Sequence, residues 1–169
     1  MILPENLYFV DATIEDHFRA MSLIHALGWR DTYVGYVPDE YMAREITDTR
    51  WVNQFREDYQ TGRCRGLLLY RGSTPVACVN YGPARTKNLN AGQPSSFPND
   101  AYQGWGEIIS FYTHPAERGK GYGGLLFEEA VNRLKAAGHQ NAFVFVLREN
   151  GKAPRFYARH DGHHSQPRS

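Results

Sequence analysis

The stretch from Trp105 to Leu147 constrains this chain most. Trp105 to Thr113 reads as a strand with many large side chains. Gly121 to Ala137 reads as a helix: Leu126, Ala130 and Leu134 share one face, Phe127 and Val131 flank it, and Gly138 caps it. Ala142 to Leu147 is an almost purely apolar run, the pattern of a strand buried on both faces. Two strands joined by one helix form a βαβ unit, which makes the strands parallel neighbours in a sheet.

Strand and helix signals continue on either side. Leu7 to Val10 is a strand candidate. Thr13 to Asp16 resembles a capping box, with Ile14, Phe18, Met21 and His25 at helical spacing and Gly28 as a stop. Pro38 and Asp39 open a second helix, within a stretch rich in aromatics: Trp29, Tyr33, Tyr36 and Tyr41. Gly66 to Tyr70 and Pro75 to Tyr81 read as strands joined by a turn at Arg71–Thr74. Pro83 to Asp100 reads as a long polar loop, and Lys152 to His160 as a last short helix with Pro154 near its start. The fold class is therefore α/β: a mixed, mostly antiparallel sheet with a central parallel βαβ unit and helices on both faces.

Composition narrows the function classes. With 169 residues the chain suits one domain with a sizeable core. Nineteen basic against eighteen acidic residues leave a formal charge of +1, so no global field favours nucleic acid as a partner. No apolar run approaches the ~20 residues of a membrane span, and the first residues lack the basic start and long apolar core of a signal peptide. Cys64 and Cys78 are too few for a disulfide framework and read as reduced thiols, which points to a cytoplasmic protein.

Between the strand and the helix of the βαβ unit lies Arg118-Gly119-Lys120-Gly121-Tyr122-Gly123-Gly124. Glycines let a backbone approach a ligand closely, and the first amides of a helix have no partner within it. The helix dipole adds about half a positive charge there, and Arg118 and Lys120 add full ones. The segment is an anion site suited to a pyrophosphate. Gly119, Gly121 and Gly124 formally match the dinucleotide pattern G-x-G-x-x-G. The acidic residue that pattern expects is poorly placed, because Glu149 lies about 25 residues on, past the second strand. A nucleotide P-loop fails for lack of G-K-S/T. A coenzyme A pyrophosphate loop and a plain flexible turn remain.

Arg118-x-x-Gly121-x-Gly123 resembles the R/Q-x-x-G-x-G/A motif of the GCN5-related N-acetyltransferase (GNAT) family. Phe111 to Pro115 is similar to that family's strand end before the loop. Asn150-x-x-Ala153-x-x-Phe156-Tyr157 resembles its second signature, with Gly162 one residue later than usual. Trp29 to Pro38 looks like the early helical region of many members. The resemblance implies a GNAT-like domain over 1–162 with a short polar tail at 163–169.

It also implies a function: transfer of an acetyl group from acetyl-CoA to a primary amine of a small molecule or peptide. Acyl transfer needs a donor held in line, a neutral amine and a proton for the leaving thiolate. By resemblance, backbone amides of Gly119, Lys120, Gly121, Tyr122, Gly123 and Gly124 cradle the pyrophosphate, with Arg118 beside them. The pantetheine arm pairs with the backbone of Phe111, Tyr112 and Thr113, and an amide there polarises the thioester carbonyl. Asn150 helps hold the coenzyme, and Tyr157 acts as general acid. On the expected last helix these two stand about two turns apart and share a face. Glu107, among Trp105, Ile108 and Ile109, is a candidate base, with a rim carboxylate or an ammonium anchor as the alternatives. Trp29, Tyr33 and Tyr36 line the acceptor pocket or pack in the core.

The chain stops seven residues after Gly162, so the resemblance implies that one or two closing strands are missing. That leaves a sheet edge through which two copies could pair as a homodimer. Two rival functions follow: a catalytically impaired coenzyme A binder, and a nicotinamide-dinucleotide oxidoreductase. His160, Asp161, His163 and His164 read as a solvated tail rather than a metal site, so no metal is expected.

Overall fold

The computed structural model describes residues 3–84, 103–146, 155–160 and 163–164, with 145–146, 155–160 and 163–164 as backbone only. Strands β1 (Leu7–Asp11), β2 (Arg65–Arg71), β3 (Thr74–Pro83), β4 (Gly106–Thr113), β5 (Asn141–Val146), β6 (Arg155–His160) and β7 (His163–His164) form one sheet in chain order. Helices α1 (Glu15–Tyr33), α2 (Asp39–Glu45) and α3 (Val52–Thr61) precede β2, and α4 (Tyr122–Ala136) joins β4 to β5. β4 and β5 run parallel, as expected of the βαβ unit. β1 with β2, β5 with β6 and β6 with β7 are antiparallel. The chain divides into two compact units, Met1–Asn80 with Phe111–Glu129, and Tyr81–Ser110 with Ala130–Ser169.

In the first unit, α1 buries Phe18, Met21 and Ile24 with Phe55 of α3, Leu68 of β2 and Cys78 of β3. The capping box does not form at its start: the Thr13 amide donates to Nδ1 of His17, at 3.1 Å. Nor does Gly28 end the helix, which runs on to Tyr33. Gly28 is buried because the Tyr112 ring lies against it, and a Cβ there would stand 2.5 Å from Cδ1 of that ring. The helix α3 was not expected; it buries only Val52, Phe55 and Asp58 and ends at Gly62, in the left-handed conformation. Trp29 and Tyr33 pack on Ala26, Met42 and Ile46, whereas Tyr36 is 66% exposed.

In the second unit, Gly106 allows close packing, since a Cβ there would meet Leu134 at 2.8 Å. Leu134, Ala142, Phe143 and Val144 are buried, which agrees with β5 as a strand covered on both faces. Residues 155–160, expected as helix, are strand. They pair one to one with β5, from Asn141↔His160 to Val146↔Arg155, and so satisfy that strand's second edge. Phe156 and Tyr157 suit a strand, and Pro154 cannot supply a helix amide. Two strands thus follow β5 where closing strands were expected to be missing, although β7 has only two residues.

Candidate functional site

The site begins where β4 ends. The His114 amide donates to the carbonyl of Val76 at 2.9 Å, which sets the end of β4 beside the start of β3. Pro115–Glu117 is one 3₁₀ turn, with Nδ1 of His114 accepting from the Ala116 amide. Arg118 is extended, and Gly119 and Gly121 both have φ of +81°, which strains any L side chain. No atom lies within 4 Å of a Cβ built on either, so the requirement there is conformational rather than steric.

Gly123 has the opposite need. Its φ is ordinary, but a Cβ would stand 3.2 Å from Oγ1 of Thr113 and 3.3 Å from Cζ of Phe111. The missing side chain lets α4 open against β4, and the Phe111 ring packs edge-on to Phe127 at 5.9 Å. Open space lies over the Cβ position of Gly124. The amides of Tyr122, Gly123 and Gly124 form the first helical turn and have no acceptor inside the helix. Free amides at a helix start are groups that can hold an anion, and the backbone conformations here are ones that glycine adopts without strain.

Its charges are more balanced than the sequence suggested. Arg118 donates to Asp31 of α1 at 2.5 Å. Oε1 of Glu117 accepts from Arg71 of β2 and lies 3.5 Å from the Lys120 ammonium. The Arg71 guanidinium is also 3.5 Å from the Tyr122 hydroxyl. Sequence reasoning missed Asp31, Glu117 and Arg71. Only Glu117, beside the motif, carried a local signal; the others arrive through the fold.

Tyr112 is half core. Its ring lies 4.5 Å from that of His25, and burial pushes its hydroxyl up to about 12, with Tyr33 and Cys78 nearby adding to the shift. β4 pairs with β5 only from Gly106 to Ile108 among the described residues, so Phe111, Tyr112 and Thr113 extend beyond the parallel ladder.

Glu107 is fully buried, which removes the rim-carboxylate reading. It pairs with Phe143, and Phe143 with Ala158. Tyr157 sits in the next row, opposite Val144. The expected pairing of Asn150 and Tyr157 on one helical face does not hold, because Tyr157 is on β6, and Asn150 lies outside the described residues.

Among the described residues β4 with β5 is parallel while β1 with β2, β5 with β6 and β6 with β7 are antiparallel, which is not the mostly parallel sheet of a doubly wound dinucleotide fold. The oxidoreductase reading is thereby overturned. The model of the acetyltransferase (GNAT) family matches residues 26–162. The chain belongs to that family. No curated protein matches it. Among solved structures it is similar to PaiA N-acetyltransferase from Thermoplasma acidophilum in complex with coenzyme A (16% identity, 85% of this chain and 81% of that one, TM-score 0.63). It is similar also to a GNAT acetyltransferase from Brucella melitensis in complex with acetyl-CoA (15%, 95% and 91%, 0.58). A third is ribosomal-protein-alanine N-acetyltransferase from the same organism (20%, 85% and 76%, 0.60). At these identities the likeness is one of fold. Among the described residues no helix is long and apolar enough to cross a membrane.

Proposed function

We propose that this chain transfers an acetyl group from acetyl-CoA to a primary amine of a small molecule or peptide. The observation that carries the reading is the loop: Gly119 and Gly121 in the left-handed region, Gly123 closed on Thr113, and the first turn of α4 open above them. Such a cradle suits the pyrophosphate of coenzyme A, and the backbone of Phe111 to Thr113 suits its pantetheine arm. The neighbours solved with coenzyme A or acetyl-CoA support the same donor.

The leaving thiolate takes its proton from Tyr157 in this reading. Glu107, fully buried, takes the amine's proton or anchors its ammonium form. Asn150 contributes to coenzyme binding. The enzyme works in the cytoplasm, where acetyl-CoA and reduced thiols coexist.

Two titrations and one variant test this. Acetyl-CoA should bind in calorimetry and NADH should not; no heat with acetyl-CoA would end the proposal. Binding without turnover across a broad amine panel would leave the impaired coenzyme binder. Tyr157→Phe should lower kcat by about 10²-fold or more with little change in donor affinity. An unchanged kcat would remove the general-acid role.

A further inference from the structure

Arg71 stands at the end of β2, far in sequence from the glycine-rich loop, yet its guanidinium meets two residues of that loop's neighbourhood. It donates through Nη1 to Oε1 of Glu117, and the same nitrogen is 3.5 Å from the Tyr122 hydroxyl. Tyr122 is the first residue of α4. The register explains the approach: the β2–β3 turn follows Arg71, and the start of β3 lies beside the end of β4 through the bond from His114 to Val76. The Glu117 side chain is only 12% exposed, so this carboxylate is sequestered among cations rather than solvated.

A sequestered acid beside an anion cradle works against the cradle unless it has another task. Here its Oε1 gathers two cations, Arg71 and Lys120, on one side of the loop. Arg71 has five N–H donors in a planar fork. Among the described residues its Nε and Nη2 meet no acceptor, and its side chain remains 39% exposed. Those donors match the bidentate geometry of a phosphate.

We propose that Arg71 is a third cation of the donor's phosphate site, supplied from outside the motif, and that Glu117 is the residue that positions it together with Lys120. The proposal rests on the reading that the donor is a coenzyme A thioester. It assigns the nucleotide phosphates, not the pantetheine arm, as what Arg71 recognises.

The test compares two donors in the full-length protein. Acetyl-CoA carries the phosphates, and S-acetylpantetheine lacks them. Arg71→Met should raise the Kd for coenzyme A about tenfold, the scale of one charge-assisted contact, while kcat/KM with S-acetylpantetheine stays at the wild-type value. Equal losses with both donors would make Arg71 a structural residue and overturn the proposal, as would no loss with either. Should Arg71→Met fold poorly, Arg71→Lys keeps the charge and loses the fork; it should weaken coenzyme A alone, about threefold. Glu117→Ala separates positioning from charge. Removing an acid that merely repels phosphate would tighten coenzyme A binding and overturn the positioning role. Removing the anchor of two cations should weaken binding instead, about threefold. If the wild-type protein binds no coenzyme A, the parent reading fails; if it does and Arg71→Met binds equally well, only this inference fails.

Discussion

Gly28→Ala pits two well-measured effects against each other. In an unobstructed helix interior the change should stabilise by about 1 kcal/mol, because alanine is the better helix former. Gly28 is not unobstructed. The new Cβ would stand 2.5 Å from Cδ1 and 3.1 Å from Cε1 of Tyr112, so the ring must retreat by roughly 1 Å to reach ordinary contact. That ring also lies against His25, with 4.5 Å between ring centres, and moves only by disturbing the core. Overpacking of this kind costs about 1–3 kcal/mol. The net expectation is destabilisation by about 1 kcal/mol, or a fall in Tm of roughly 2–4 °C for a chain of this size. In a Tyr112→Leu background the obstruction is gone, and the same substitution should stabilise by about 1 kcal/mol. Urea denaturation of the four proteins forms a double-mutant cycle with a coupling energy near 2 kcal/mol. A Gly28→Ala protein more stable than wild type, or an additive cycle, would refute the reasoning.

Burial lowers the His25 imidazole from 6.5 to about 4. The unfolded chain takes up that proton near pH 6.5 and the folded one only near pH 4, so stability should fall as pH drops through this window, by up to about 3 kcal/mol. Urea midpoints across the window should show a steep slope that flattens in His25→Gln; parallel slopes would contradict the assignment. Burial pushes both cysteine thiols up, Cys64 to about 12, so neither should react with a thiol reagent at pH 8 until the protein unfolds. Rapid labelling of the native protein would count against the buried placement. Gly121→Ala should cost about 1–2 kcal/mol at φ +81° and weaken coenzyme A binding at least as much; wild-type affinity would show that the loop conformation is not what binds.

What could be read in advance followed the range of the physics involved. Alternating and helical apolar patterns are local, so the strands around Leu68, Cys78 and Val144 and the helix through Leu126 and Leu134 emerged from the residues alone. The glycine loop emerged because its conformational demand lies in the chain itself. Gly28 misled, since its reason is a ring 84 residues away, and a buried glycine looks like a stop until that ring is known. Residues 155–160 misled because a partner strand, not local spacing, decides their state. The helix α3 was overlooked in a polar stretch that buries few side chains. In the site, Arg118 was readable as a charge, but its acid was not: Asp31 and Arg118 stand 87 positions apart.

At φ +81°, Gly119 and Gly121 hold mirror-image backbone, the conformation a D-residue prefers. The position that an L side chain would take is open at both, so what opposes L-alanine there is backbone conformation alone, and D-alanine placed by chemical ligation removes that opposition. L-alanine and D-alanine differ in neither volume nor polarity. A loop that accepts one enantiomer and rejects the other is therefore discriminating by handedness alone. On these grounds the D-alanine protein would hold its amides in place with less chain entropy to lose than glycine.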